Sequence, residues 1–99
     1  MVDVLKSRAV VLYLSVGRSS YPKPDPEALT AVFDGEVAVQ MRSYITDLLT
    51  EMSAIALDWH GHTLQSGTAV IEAEMGRRDP ELSPEAIWAL GWAFSFSWR

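Results

Sequence analysis

The C-terminal segment 83–99 holds three of the four tryptophans and two of the three phenylalanines of this chain. It begins with Ser83, Pro84 and Glu85, the capping hydroxyl, first-turn proline and early acid that are typical of a helix start. On a helical wheel its large apolar residues form two adjacent stripes. The first stripe consists of Ile87, Leu90, Phe94 and Trp98, and the second of Trp88, Trp92 and Phe96. Because one stripe is enough to join a core, the second predicts an additional packing partner.

The second stripe is too large to be left in water. Each aromatic side chain buries about 150–250 Å², and three together match or exceed the largest apolar patch of a typical monomer, about 300–600 Å². Three arrangements would cover them: enclosure by the protein's own domain, a homodimer seam, or docking on a different protein. Tryptophan is enriched at binding hot spots, which favours the last two. We therefore predict that a partner binds the residues Trp88, Trp92, Phe96 and Trp98.

Length and charge narrow the class of protein. A chain of 99 residues supports one domain with one core, so we expect residues 1–99 to form a single helical domain. Thirteen acidic and eight basic residues give a net charge of −5, and the only adjacent basic pair, Arg77 and Arg78, has Glu74 as a helical ion-pair partner. Nucleic-acid binding needs clustered cations, so we expect none. An acidic surface favours a basic protein partner.

Cellular location is predicted from what the sequence lacks. The chain has no cysteine, which excludes disulfides and thiol chemistry and fits a reducing compartment. Asp3 interrupts the basic start that a signal peptide needs, and no apolar run is long enough to span a membrane. We expect a cytoplasmic protein without a membrane partner.

Capping residues and apolar periodicity predict an all-α bundle of four to five helices with short connections. Asp25 and Pro26 predict a short helix ending near Phe33, and Thr63 predicts the cap of a later one. The clearest helix covers about 36–55. Its apolar stripe consists of Val37, Met41, Tyr44, Leu48, Met52 and Ile55.

Residues 3–16 admit two interpretations. A helix would place Leu5, Ala9, Leu12 and Val16 on one face, with Gly17 at its C-terminal end. The alternative is an α+β fold with one strand at 9–16, favoured by its valines and tyrosine. Such a strand has no partner within the chain and would pair across a dimer. We prefer the helix.

Asp58, His60 and His62 form the strongest candidate metal site, because a carboxylate and two imidazoles can bind zinc or non-haem iron. On a helix the two histidines would diverge, and a simple turn between helices explains the segment better. A small metal-dependent enzyme or sensor using this Asp-x-His-x-His loop is therefore an alternative function. Our main prediction includes no metal.

Other catalytic patterns are missing from the sequence. The acids that could form a carboxylate pair all lie on predicted solvent faces; they are Asp47, Glu51, Glu72 and Glu74. Phosphate-binding glycine loops, nucleophile elbows and HExxH motifs are absent. We expect a small acidic interaction module, either an inhibitor or immunity-type protein or a structural assembly subunit. It would need no cofactor and would not be an enzyme, and it would self-associate or dock on a partner through its C-terminal helix.

Overall fold

The computed structural model describes residues 3–55, 61 and 63–97, and these form five helices without any strand. The helices are α1 (Val4–Tyr13), α2 (Pro26–Val32), α3 (Gly35–Ser53), α4 (Leu64–Arg78) and α5 (Pro84–Ser97). The predicted all-α bundle is confirmed. The alternative α+β fold, with a strand at 9–16, is wrong.

The helices begin where the capping residues predict. The Asp25 side chain accepts a hydrogen bond from the backbone N–H of Ala28 at 3.2 Å and caps α2. Thr63 and Ser66 form a reciprocal capping box at the start of α4, with side-chain-to-backbone distances of 3.1 and 2.9 Å. Ser83 Oγ accepts the N–H of the third residue of α5 at 3.2 Å. Each cap satisfies a backbone donor that has no partner within its helix.

Helix α1 ends three residues before the predicted position, because the chain turns back on itself. Ser15 adopts a left-handed conformation with φ of 64°, and its hydroxyl donates to the carbonyl of Lys23 at 2.7 Å. The N–H of Asp25 then donates to the carbonyl of Tyr13 at 2.8 Å. Gly17, the predicted C-terminal residue of the helix, lies within this turn with φ of 79°.

The predicted inner face of α1 is confirmed at Ala9, which is buried, and is wrong at Leu5, which is 55% exposed. Ser7, which lies outside the predicted face, is buried instead. Ser7 Oγ accepts the backbone N–H of Ser83 at 2.9 Å, and the N–H of Asp3 donates to the carbonyl of Glu81 at 2.6 Å. These two tethers to the loop between α4 and α5 set the rotation of α1. Apolar residues surround this helix on most sides, so its pattern alone does not specify the buried face.

The core is built around α5, which packs mainly against α4 and α1 and less extensively against α3. Its buried residues include Leu90, at the centre, and Phe94. The predicted stripe of α3 is confirmed at Leu48 and Met52, while Ile45 is buried in addition. The largest fully buried side chains are Val10, Leu29, Ile45, Ile71, Met75 and Leu90. Within the described residues, no helix is long and apolar enough to cross a membrane.

Candidate protein-binding surface

Trp88, Trp92 and Phe96 form a continuous aromatic ladder along α5. The rings of Trp88 and Trp92 are stacked, with centroids 5.9 Å apart and an interplanar angle of 10°. The rings of Trp92 and Phe96 meet edge to face, also with centroids 5.9 Å apart. The spacing of four residues places each ring one helical turn from the next. Trp98, the fourth predicted binding residue, lies outside the described residues.

The ladder is not uniformly covered by the rest of the protein. Trp92 is half-buried and packs against the core, whereas Trp88 is 50% exposed. The protein therefore encloses only part of the second stripe predicted for this helix. Truncating Trp92 would remove core contacts as well as surface, so Trp88 is the better residue with which to test binding.

A groove of about 590 Å³ lies beside Trp88, between α4 and α5. The five residues that α4 contributes to the groove follow one another at spacings of one, three, one and three, so they lie on one face of that helix. The residues that line the groove are Leu64, Gln65, Thr68, Ala69, Glu72, Trp88 and Ser95. Glu72 is the only acidic or basic residue among them. The groove thus combines an exposed indole, small neutral side chains and a single carboxyl group.

Glu72 lies directly over the backbone of α5. A Cβ atom added to Gly91 would be 2.2 Å from Glu72 Oε1, so the carboxyl group occupies the space that a side chain at position 91 would fill. Burial raises the pKa of Glu72. Among the described residues, no hydrogen bond or ion pair compensates the half-buried Glu72 carboxyl group.

This environment corrects the prediction that Glu72 is an ordinary residue of a solvated helix face. The sequence signal that could have revealed it is Gly91, an isolated glycine in the middle of a strongly apolar helix. Such a glycine often marks the close approach of another group. Its partner cannot be identified from sequence, because the pairing depends on how α4 and α5 pack.

A second group of acids joins the C-terminal ends of α3 and α4. Asp79 lies beside Glu51, so a protonated Asp79 can donate a hydrogen bond to it, whereas the buried atoms Asp79 Oδ2 and Glu51 Oε1 have no donor when both carboxyl groups are ionised. Burial, this hydrogen bond and the negative charges of Glu51 and Glu81 raise the pKa of Asp79 to about 6. Tyr44 Oη donates to Glu81 at 3.2 Å. The pair can share one proton, and Glu51 is not the freely solvated residue that we predicted.

The adjacent residues Arg77 and Arg78 both form ion pairs with Glu74. Arg78 Nε donates to Glu74 at 2.8 Å, as predicted, and Arg77 binds the same carboxylate. Hydrogen bonds from the two guanidinium groups lower the pKa of Glu74 to about 2. These arginines therefore carry a counter-ion within their own helix.

The alternative metal site in the Asp-x-His-x-His loop stays a prediction. Asp58, His60 and His62 all lie outside the described residues. Within the described part of the chain, no group of three histidine, aspartate or glutamate residues is placed to hold a metal ion. Elemental analysis of the purified protein would test the Asp-x-His-x-His loop directly.

A smaller groove, which sequence reasoning missed, lies between α1 and the start of α5. Its volume is about 350 Å³, and Val4, 71% exposed, forms part of its wall together with Arg8 and Glu85. The rotation of α1 described above creates this surface, because it turns Val4 and Leu5 toward solvent. It lacks the aromatic residues that distinguish the groove beside Trp88.

A scan against protein-family models finds no match, and searches of curated proteins and of solved structures likewise find no similar protein. The surface beside Trp88 is therefore interpreted from its own geometry and chemistry.

Proposed function

We propose that this protein acts by binding another protein through α5 and the adjoining groove. The docking surface consists of the aromatic ladder, Trp88, Trp92 and Phe96, and the groove between α4 and α5. Binding at this surface would either block a site on the partner, as a small inhibitor or immunity-type protein does, or hold the partner in place, as a subunit of a larger assembly does.

The observation that carries the proposal is the exposed Trp88 side chain. Half of its surface faces solvent, although its ring is stacked on Trp92 and stands on a helix. A ring already held in place loses little conformational entropy when a partner covers it. Tryptophan also contributes disproportionately to binding energy at protein interfaces. The groove beside it supplies a concave surface for neighbouring partner residues.

The net charge supports a basic partner. At −5, the protein attracts a cationic surface and repels another acidic one at long range. A homodimer formed by the same ladder is the second candidate, since a two-fold axis could place one Trp88 against the other. The uneven exposure of the ladder supports both arrangements, and charge favours the first.

The test is the native mass by light scattering over a range of protein concentrations, for the wild type and for Trp88→Ala. A dimer that dissociates in the variant would assign the ladder to self-association. Tyr21→Ala is the matched control, because Tyr21 is an aromatic residue with 52% exposure on a different part of the surface. A dimer unaffected by Trp88→Ala would contradict self-association through the ladder.

If the protein is strictly monomeric, the next test is binding to a different protein. The indole N–H resonance of Trp88 would then be followed by NMR during titration with short basic and neutral peptides of matched apolar content. Saturable shifts confined to the ladder and groove support the proposal. Absence of both self-association and peptide binding at this surface would refute it.

A further inference from the structure

We infer that the groove between α4 and α5 receives an arginine side chain from the partner protein. Its guanidinium group would meet the Glu72 carboxylate, and its flat face or aliphatic stem would lie against Trp88. This inference rests on the proposed function, because it names the chemistry that a partner must present to the docking surface.

The environment of the Glu72 carboxyl group favours the binding of a cation. It is half-buried against Gly91, and the described residues offer it neither a hydrogen-bond donor nor a positive charge. A carboxylate withdrawn from water without such a partner is unfavourable, and an incoming cation removes much of that cost. Arginine suits the position because its planar group can make two parallel hydrogen bonds to one carboxylate.

Trp88 provides the complementary apolar contact. Its stacking on Trp92 orients the indole, and half of its surface is open. Guanidinium groups stack on aromatic faces more readily than ammonium groups, since they are flat and less strongly hydrated. Glu72 and Trp88 line one groove, so a single arginine can reach both.

The rest of the groove sets the size and polarity of the ligand. Its volume of about 590 Å³ exceeds the space needed for one side chain and leaves room for its immediate neighbours. Thr68, Ala69 and Ser95 form small, neutral parts of the wall. The ligand is thus a peptide segment with one arginine among small or apolar residues, and not a polycationic chain.

Charge decides between a foreign partner and a second copy. Each copy carries −5, so two copies repel one another. Three of the described arginines are already paired: Arg77 and Arg78 with Glu74, and Arg18 with Asp25 at 3.0 Å. Arg8 and Arg42 are exposed, so the repulsion between two acidic copies is what favours a basic segment of another protein.

The experiment uses two peptides, Ac-Ala-Leu-X-Leu-Ala-amide, in which X is arginine or citrulline. Citrulline retains the shape and most hydrogen-bonding groups of arginine but has no charge. Binding is followed by NMR at the Trp88 indole N–H of the full chain. We expect the arginine peptide to bind about fivefold more tightly, as one partly exposed ion pair and one cation–π contact imply.

Three variants locate the origin of this preference. Glu72→Gln should reduce it to the part that the cation–π contact with Trp88 supplies, while Asp47→Asn, which changes net charge equally at an exposed position of α3, should retain it in full. Gly91→Ala keeps the negative charge of Glu72 but moves its carboxyl group away from the backbone of α5. This variant should therefore also reduce the preference for the arginine peptide. A general charge effect would predict equal behaviour of Glu72→Gln and Asp47→Asn.

Three results would overturn the inference: equal affinity of the two peptides, a preference that Glu72→Gln does not reduce, or no shift of the Trp88 resonance with either peptide. The native mass then separates this failure from that of the proposed function. A dimer that depends on Trp88 would leave the docking surface intact and assign it to a second copy. A monomer whose ladder and groove bind neither peptide would refute both.

Discussion

Asp79→Asn is expected to stabilise the protein above about pH 7 and to have little effect near pH 4. In the folded protein Asp79 is half-buried, can donate a hydrogen bond to Glu51 only when it is protonated, and lies near the negative charge of Glu81. It is also the C-terminal cap of α4, where a negative charge opposes the helix dipole. An asparagine at this position can donate its amide N–H to Glu51 without adding charge.

The magnitude follows from the pKa of Asp79, which rises from 3.8 to about 6 on folding. Fully converted, this rise corresponds to about 3 kcal/mol. Because the side chain is only half-buried, solvent screening reduces the expected effect to about 1 kcal/mol. Arg78 also offsets part of the repulsion, since its positive charge lowers the pKa of Asp79.

The sign of the pH dependence is fixed by proton binding. Below about pH 4 the Asp79 carboxyl is protonated in both folded and unfolded chains, and its favourable contribution is fully present. As the pH rises from about 4 to 6, the folded chain holds the proton more strongly, so the free energy of unfolding falls. Above the folded-state pKa the contribution is lost. Asp79→Asn should remove this decline.

Urea denaturation monitored by circular dichroism at several pH values measures the effect. Asp47→Asn is the control for the change in net charge, since Asp47 is exposed on α3. A gain that is the same at pH 4 and pH 8 would refute the linkage to Asp79 ionisation. A gain equal to that of the control would show that the contact with Glu51 does not matter, and a loss at the higher pH would contradict the reasoning altogether.

Three further substitutions test the packing of the bundle by urea denaturation, with NMR added for the second. Ser7→Ala should cost about 1–3 kcal/mol, because the Ser83 N–H loses its side-chain acceptor; a change below about 0.5 kcal/mol would mean that water replaces it. Gly91→Ala should alter stability by less than about 1 kcal/mol, since better helix propensity offsets displacement of Glu72, and should bring the Glu72 pKa closer to its ordinary value. A much larger loss would show that Glu72 cannot move. Phe94→Ala should cost about 3–5 kcal/mol because Phe94 is buried in the core, and a near-neutral result would contradict that placement.

Local signals predicted the helices well, because capping depends on neighbouring residues. Asp25 and Thr63 each accept a hydrogen bond from the backbone N–H three residues later, so four consecutive residues are enough to specify the start of each helix. The exposed stripe of α5 was also predictable in outline. Its spacing of four residues places Trp88, Trp92 and Phe96 in a row whatever surrounds the helix.

Errors arose where a residue responds to a distant part of the chain. The rotation of α1 depends on a hydrogen bond between Ser7 and Ser83, which are 76 positions apart. Glu51, which was predicted to be solvated on α3, lies beside Asp79 at the end of α4. Neither contact lies within the reach of helical periodicity, because each joins residues from different elements of the chain.

Three properties could be predicted from the amino-acid sequence: that the chain forms helices, where most of them begin, and that the C-terminal helix carries more aromatic surface than one core contact requires. These properties follow from capping and periodicity, which act over a few residues. The packing of the helices was needed to show that Trp92 is partly covered while Trp88 is exposed, and that Glu72 lies over Gly91 in the same region of α5. Burial and pKa depend on which helices meet and at what rotation, because both are set by atoms brought together from distant positions in the chain.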